Sequence, residues 1–274
     1  MRVAEVRVDR AGVVDHSSGR LGRALKFVRE QGPLEIIRLI RQHGVAASAR
    51  FVTRNVRHSI AHTYARQFDR RYGVDTAGSI QLDGLDIVGP NRALGNEAVC
   101  TSPKSFRWLI DRTRVPADAT FIDIGSGKSR TVLLASLYGF KRAIGVEFAR
   151  ELVEVSRANV EAFAHHNESG TAFEIVHADA TTYEFPPQPL VVYFYNPFRR
   201  ELLEEVLRNL ATSLQNRPRP CLVIYTTSQS TVNWASAAIA ETALFTKVES
   251  GRTPFFADAV RTLDYGIFRW KAMK

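Results

Sequence analysis

The stretch FIDIGSGKSRTVLLASLYGFKRAIGVE, residues 121–147, decides the fold of this chain. An apolar segment over residues 120–124 reads as a strand and leads into a glycine turn at residues 125–127. A helical pattern follows over residues 129–138, and a second apolar strand then ends in Glu147. Glycines let a backbone approach a ligand closely, and a helix N-terminus favours the polar or anionic part of that ligand. The stretch therefore predicts a nucleotide-binding βαβ unit in which Glu147 can accept hydrogen bonds from ribose hydroxyls.

Two familiar nucleotide-binding motifs almost match the glycine turn, and each fails at one position. The P-loop pattern G-x-x-x-x-G-K-[ST] needs a glycine where this chain has Ile122, so the loop is too short to wrap a polyphosphate. The dinucleotide pattern G-x-G-x-x-G fails at its last glycine, where Arg130 stands. The sequence therefore disfavours ATP and NAD as ligands.

What remains is Asp-x-Gly-x-Gly, which runs from Asp123 through Gly125 to Gly127, with an acid at the end of the next strand. This arrangement resembles motif I and the acidic loop of the class I S-adenosylmethionine-dependent methyltransferases. The family pattern is D/E-x-G-x-G-x-G, and Ser129 stands at its third glycine in this chain. The resemblance implies S-adenosyl-L-methionine as the cofactor.

Two later motifs extend the resemblance, which covers residues from about 80 to 270. Residues 177–180, His-Ala-Asp-Ala, follow a third apolar strand and resemble the family's adenine-contacting acidic turn. Residues 195–198, Tyr-Asn-Pro-Phe, end a fourth strand and resemble motif IV, N/D-P-P-Y/F, with one proline fewer. Residues 121–159 and this turn together are similar to a large group of bacterial methyltransferases of mostly unassigned substrate. They also distantly resemble the Dot1-like lysine methyltransferases.

The cofactor-binding residues are expected directly after three successive strands. They are Asp123, Gly125, Ser126, Gly127, Glu147, Phe148, Asp179 and Ala180. Asp179 either accepts from the adenine amino group or forms an Asx turn, and Phe148 either flanks adenine or packs in the core. Glu147 matches two vicinal hydroxyl donors, or it is an exposed acid at a strand end. Because a strand-end acid is not a core residue, its loss is expected to change stability little.

The catalytic residues are expected in the turn Asn196, Pro197 and Phe198, which the resemblance places beside the transferred methyl group. An asparagine side chain and a proline-fixed carbonyl can accept hydrogen bonds from an amine and orient its lone pair. The alternative is an Asn-Pro turn that only ends a strand. The sequence indicates no general base for a hydroxyl acceptor and no metal site.

Strands are predicted near residues 120–124, 143–147, 172–176, 190–195, 221–227, 244–249 and 263–270, and helices at 103–112, 129–138, 150–164, 199–214 and 229–241. Alternating strands and helices predict an α/β fold with a parallel sheet and helices on both faces. The resemblance implies a Rossmann-like seven-stranded sheet whose last strand is antiparallel. We expect two domains: a basic helical extension or lid, residues 1–77, and a methyltransferase domain, residues 78–274.

The excess positive charge is confined to the start of the chain. The 274 residues carry a formal net charge of +9, and residues 1–72 hold 15 Lys and Arg against 6 Asp and Glu, whereas residues 73–274 hold 22 of each. The basic segment reads as a lid over the cleft, as a surface for an acidic partner, or as a solvated face. The two cysteines form no C-x-x-C pair and no apolar run approaches a membrane span, so we expect a cytoplasmic protein.

These observations favour a methyltransferase that acts on nitrogen or oxygen of a small molecule or sugar. The alternatives are a protein-lysine or nucleic-acid methyltransferase, and a non-catalytic binding module that holds a partner with the basic arm. The set of Asp123, Gly125, Gly127, Glu147 and Asn196 argues against the binding module, because such a module has no need of it.

Overall fold

The computed structural model describes residues 66–228, 232–254 and 262–271. Most of the predicted basic extension, residues 1–65, lies outside the described residues. The described part begins with helical residues 66–72, which end at Gly73 in a left-handed conformation, φ +67°. Phe68 and Val74 from this segment are buried in the core.

The described residues contain nine strands. Two short ones, β1 (Ser79–Ile80) and β2 (Ala98–Val99), pair with each other. The other seven form one sheet: β3 (Thr120–Ile124), β4 (Arg142–Glu147), β5 (Ala172–His177), β6 (Leu190–Tyr195), β7 (Cys221–Thr227), β8 (Phe245–Arg252) and β9 (Asp264–Trp270).

Besides helical residues 66–72, the described residues contain five α-helices: α1 (Pro103–Arg112), α2 (Arg130–Ser136), α3 (Arg150–Phe163), α4 (Arg200–Asn216) and α5 (Val232–Glu241). Helix α1 begins with a Ser102 cap, whose hydroxyl accepts from the Ser105 N–H at 3.5 Å, followed by Pro103 in the first turn. These bounds lie within a few residues of the predicted ones.

The strand order is β5-β4-β3-β6-β7-β9-β8. The pairs from β5 to β7 are parallel, and β9 is antiparallel to both of its neighbours, β7 and β8. The last strand of the chain is therefore inserted between the two before it. This topology confirms the predicted fold class: a seven-stranded Rossmann-like sheet with an antiparallel last strand.

Helices cover both faces of the sheet, and its central strands are therefore buried throughout. All five residues of β3 are buried. Successive strand residues point to opposite faces, so Ile122 joins one core cluster while Phe121 joins the other. Helices α4 and α5 pack on the Ile122 side, and α1 and α2 pack on the Phe121 side. Because β3, β4, β5 and β6 are parallel, their carboxyl ends lie at one edge of the sheet.

Membrane-spanning character is not a feature of the described helices. None of the helices in residues 66–228, 232–254 and 262–271 combines the length and the apolar content that crossing a bilayer requires.

Candidate functional site

The glycine turn after β3 forms the floor of a cleft at this edge of the sheet. Gly125 and Gly127 both adopt left-handed conformations, with φ of +75° and +55°. A Cβ atom on Gly125 would lie 2.6 Å from the Pro197 Cβ, so this backbone approaches the 195–198 turn too closely for any side chain. Position 125 therefore requires glycine for two reasons: its left-handed backbone and its close contact with the turn after β6, residues 195–198.

Ser129 stands where the D/E-x-G-x-G-x-G pattern has its third glycine. Its backbone is left-handed, φ +62°, a conformation that glycine adopts more readily than serine. Its buried hydroxyl bonds with the Ser126 hydroxyl at 3.2 Å and the Ser156 hydroxyl at 3.0 Å. Gly145 on β4 makes room for it, because a Cβ on Gly145 would lie 2.9 Å from the Ser129 Oγ. A serine is thus accommodated where the family pattern has glycine.

Glu147 ends β4 with its side chain turned into the protein, only 3 % exposed. One carboxylate oxygen accepts from the N–H groups of Phe148 at 3.0 Å and Ala149 at 2.9 Å, and the other accepts from the Gly127 N–H at 2.8 Å. A carboxylate offers about four lone-pair sites, so three are used and one remains for a ligand hydroxyl. The acid therefore also holds the glycine turn against the end of β4.

Asp123 lies inside β3 directly beneath the turn, 4 % exposed, and accepts a hydrogen bond from the Thr131 hydroxyl. Burial raises the pKa of Asp123 to about 7, opposed by the Thr131 hydrogen bond and assisted by the charge of Glu147. Burial likewise raises the pKa of Glu147 to about 7, opposed by its three backbone donors. Both carboxyl groups border one cleft, and each has a pKa raised towards neutral pH by burial.

Asp179 follows β5 and uses both of its oxygens within the protein. Oδ1 accepts from the Thr181 N–H at 3.0 Å and from the Thr181 hydroxyl at 2.8 Å, which is an Asx turn. Oδ2 accepts from the Asn91 Nδ2 at 2.7 Å. Ala180 beside it is buried. The Asx turn and the contact with the cleft are both present, so the two readings of Asp179 from the sequence do not exclude each other.

The turn after β6 places its asparagine differently from its neighbours. Asn196 has a left-handed backbone, φ +42°, its Oδ1 accepts from the Tyr225 hydroxyl at 2.9 Å, and its carbonyl accepts from the Asn96 Nδ2 at 2.9 Å. The cleft is lined by Tyr195, Pro197 and Phe198, and Asn196 is not among its lining residues. The side-chain oxygen that the sequence reading assigned to an acceptor amine is bonded to a tyrosine.

The structure brings all the other predicted site residues together at one cleft. Those that line it are Asp123, Gly125, Ser126, Gly127, Glu147, Phe148, Asp179, Ala180, Pro197 and Phe198. Their roles as cofactor and acceptor contacts remain predictions. Among the described residues, no group of three or more His, Cys, Asp and Glu is arranged to hold a metal ion.

A segment that precedes α1 crosses this edge of the sheet; it comprises residues 86–99, and we call it the strap. At its start the Val88 N–H donates to the Phe148 carbonyl at 3.0 Å, and the Arg150 N–H donates to the Asp86 carbonyl at 2.8 Å. Near its end Gly95 forms an isolated antiparallel bridge with Phe198.

A group that sequence reasoning missed surrounds Arg130, the residue that breaks the dinucleotide motif. Its guanidinium is buried and donates to the Thr76 hydroxyl at 2.7 Å, the Asp69 carboxylate at 3.0 Å and the Cys100 sulfur at 3.2 Å. Asp69 in turn accepts from the N–H groups of Thr76 at 3.0 Å and Ala77 at 2.8 Å. Arg130 therefore ties residues 69–77 to the start of α2 and lines the cleft beside the glycine turn.

Comparison with protein-family models found no match, and comparison with the curated proteins found none either. Comparison with solved structures found proteins of similar fold. One is a precorrin-6y C5,15-methyltransferase from Geobacter metallireducens, with 16% identity over 63% of this chain and 89% of that one and a TM-score of 0.45.

Two further solved structures are similar over comparable shares of this chain. The ribosomal protein L11 methylase from Lactobacillus delbrueckii subsp. bulgaricus has 17% identity over 61% of this chain and 78% of that one, with a TM-score of 0.44. A SAM-dependent methyltransferase from Leishmania major has 10% identity over 61% and 70%, with a TM-score of 0.46. At these identities the likeness concerns the fold alone.

Proposed function

We propose that this protein is an S-adenosylmethionine-dependent methyltransferase. One observation carries the proposal: the acid and glycine turn after β3 and the acid that ends β4 line a single cleft at the carboxyl edge of a parallel sheet. In open α/β sheets this edge, at the point where the strand order reverses, is where nucleotide ligands bind. The reversal lies between β3 and β6, because β4 and β5 extend the sheet on one side of β3 and β6 and β7 extend it on the other.

The residues at this edge fit the proposed cofactor. Gly125 and Gly127 give a backbone cradle that a Cβ would fill, the remaining lone-pair site of Glu147 suits a ribose hydroxyl, and the Asp123 carboxyl group offers hydrogen-bonding oxygens to an amino group. The cofactor carries an electrophilic methyl group on a positively charged sulfur. When bound, it would supply that methyl group to the lone pair of an acceptor, with Gly125, Gly127 and Glu147 holding the cofactor.

The acceptor side of the cleft supports orientation rather than acid–base chemistry. Tyr195, Pro197 and Phe198 wall this side, and the left-handed Asn196 is fixed by Tyr225 and Asn96. A rigid wall can align an acceptor's lone pair with the methyl carbon, and such alignment can supply several kcal/mol of the barrier. In this proposal the turn acts through its shape, and the Asn196 amide holds that shape.

For the acceptor we propose a small molecule. The strap crosses the carboxyl edge: its Val88 N–H donates to the Phe148 carbonyl, and its Asn96 N–H donates to the Pro197 carbonyl. A segment held across the cleft at both ends favours an acceptor small enough to enter beside it. A protein-lysine or nucleic-acid acceptor is the competing candidate. Its support is the charge of residues 1–72, 15 Lys and Arg against 6 Asp and Glu, which suits an acidic partner.

Transfer of a labelled methyl group tests both parts of the proposal. The purified full-length chain is incubated with methyl-labelled S-adenosylmethionine and a cell extract separated into small molecules, protein and nucleic acid. We expect label in the small-molecule fraction. Label in protein or nucleic acid would favour the competing acceptor, and binding of the cofactor without label in any fraction would favour the non-catalytic module.

A further inference from the structure

The strap makes specific side-chain contacts with the ends of two strands that border the cleft. On the side of β5, Asn91 donates from Nδ2 to the Asp179 Oδ2 at 2.7 Å. On the side of β6, Asn96 donates from its N–H to the Pro197 carbonyl and from Nδ2 to the Asn196 carbonyl, both at 2.9 Å. Both asparagines line the cleft.

The contact on the side of β5 is closely fitted. Gly89, two residues before Asn91, has φ +83°, and a Cβ there would lie 2.5 Å from the Asp179 Oδ2. Asp179 is 8 % exposed, and its Oδ1 already bonds to Thr181. The strap backbone thus passes directly over the carboxylate, and the Asn91 amide supplies the hydrogen bond to its second oxygen.

We infer that Asn91 is a positioning residue for the nucleoside half of the cofactor. Its amide holds the Asp179 carboxylate in one orientation and fixes the strap above the cleft, so that a bound nucleoside lies between the strap and the ends of β4 and β5. This inference rests on the proposed function. A hydrogen bond from a neutral amide to a buried carboxylate is among the stronger ones, and its loss is costly when the carboxylate keeps its charge.

Calorimetry with S-adenosylhomocysteine, the demethylated product, tests the inference without knowledge of the acceptor. The wild-type chain is measured first. Asn91→Asp replaces the donor with a like charge that faces Asp179, and Asn91→Ala removes the donor without adding charge. The matched control is Asn167→Asp, because Asn167 donates from Nδ2 to the Thr171 carbonyl at 2.8 Å before β5, at the opposite edge of the sheet.

We expect Asn91→Asp to weaken S-adenosylhomocysteine binding by roughly 10- to 100-fold and Asn91→Ala by less, whereas Asn167→Asp leaves it unchanged. Binding of 5′-methylthioadenosine, which carries the nucleoside but no amino-acid part, should fall by the same factor. The lost hydrogen bond should lower the melting temperature of the unliganded Asn91 variants, so binding is measured at 25 °C after urea unfolding has shown that each variant is folded there, which separates positioning from loss of folded protein.

Three results would overturn the inference. The first is wild-type affinity in both folded Asn91 variants. The second is a loss for S-adenosylhomocysteine that 5′-methylthioadenosine does not share, and the third is a loss of affinity that the unfolded fraction of the variant at the assay temperature fully accounts for. A wild-type chain that binds neither ligand overturns the proposed function and this inference with it, so the two failures are distinguishable.

Discussion

Asp123 and Glu147 hold the structure around the cleft through hydrogen bonds and also carry carboxyl groups with raised pKa values. Both are buried carboxyl groups at the ends of neighbouring strands, and burial raises the pKa of each to about 7. Asp123 has one hydrogen-bond donor, Thr131, whereas Glu147 has three backbone donors. The two acids should therefore respond differently to replacement: Asp123 through its charge, and Glu147 through its hydrogen bonds.

The pKa of Asp123 predicts a pH-dependent stability. Because the folded-state value, about 7, lies above the ordinary 3.8, the folded protein holds a proton that the unfolded chain releases between these pH values. This contribution is fully present below about pH 4 and is lost as the pH rises through 7. Asp123→Asn removes it, so the variant should gain stability relative to wild type between pH 5 and pH 8, by roughly 1–4 kcal/mol.

Urea unfolding at several pH values, with and without the Asn replacement, measures this difference. Glu147 contributes in the same direction, so the variant should keep part of the wild-type pH dependence. A free-energy difference between Asp123→Asn and wild type that does not change from pH 5 to pH 8 would contradict the raised pKa.

Glu147→Ala should weaken both cofactor binding and the fold. Loss of hydrogen bonds to a charged group predicts S-adenosylhomocysteine binding weaker by about 1–3 kcal/mol. The sequence suggested little change in stability, but Glu147 is buried and accepts from Gly127, Phe148 and Ala149. Three backbone donors would lose their acceptor, so the unfolding free energy should also fall, by roughly 1–3 kcal/mol.

Calorimetry and urea unfolding of the same Glu147→Ala preparation measure the two effects. Glu147→Gln is the matched control, since its amide oxygen can replace part of the carboxylate, and both losses should be smaller. Unchanged affinity together with lower stability would mean that Glu147 is a structural acid and does not contact the ribose.

At the scale of elements, the site consists of connections rather than helices or strands. The glycine turn joins β3 to α2, the 195–198 turn joins β6 to α4, and the strap lies across both. Gly125 and Pro197 are the point where two of these connections meet. We expect this close approach to help set the width of the cleft, because a side chain at position 125 would push the two turns apart.

Two glycines with similar backbones allow this approach to be tested. Gly125 and Gly139 have φ of +75° and +82°, but a Cβ on Gly125 would lie 2.6 Å from Pro197, whereas a Cβ on Gly139 would have nothing within 4 Å. Both alanine variants incur the cost of a left-handed residue, about 1–2 kcal/mol. Gly125→Ala should cost roughly 1–3 kcal/mol more, since overpacking is added.

Urea unfolding of the two variants gives the stability difference, and calorimetry gives their affinity for S-adenosylhomocysteine. We expect weaker binding for Gly125→Ala and wild-type binding for Gly139→Ala. Equal stability and equal affinity in the two variants would show that contact with Pro197 has no role in shaping the cleft.

At the scale of the molecule, the cleft is assembled from strand ends that are far apart in sequence. The bonds of Asn91 to Asp179 and of Asn96 to Asn196 span 88 and 100 residues. A ligand that fills the cleft would add contacts to the glycine turn, the strap and the turn after β6 together. Its binding should therefore stabilise the folded body as a whole.

Thermal unfolding with different nucleotides measures this stabilisation. At a concentration 100 times the dissociation constant, S-adenosylhomocysteine should add about 2.7 kcal/mol, which raises the melting temperature of a body of this size by roughly 5–10 °C. ATP and NAD should give no rise, since the P-loop and dinucleotide patterns fail at Ile122 and Arg130. A rise with NAD and none with S-adenosylhomocysteine would contradict the cofactor assignment.

The sequence by itself determined the fold class and the elements of the sheet. Helical and strand periodicities are local, and so are the glycine turn at 125–127 and the acid at the end of β4, which is why the predicted bounds lie close to the observed ones. The position of the site at the ends of β3, β4, β5 and β6 followed from the same local signals, because parallel strands carry their carboxyl ends to one edge.

Only the tertiary structure decided how the atoms of the site are used. The Asn196 side chain bonds to Tyr225 and lies outside the lining of the cleft, Asp179 is held by Asn91, and Glu147 is buried. Each of these contacts depends on which distant segment covers a strand end, and no local pattern in the chain specifies a partner 29 to 100 residues away. The strap supplies Asn91 for Asp179 and Asn96 for the Asn196 carbonyl, whereas Tyr225 comes from β7.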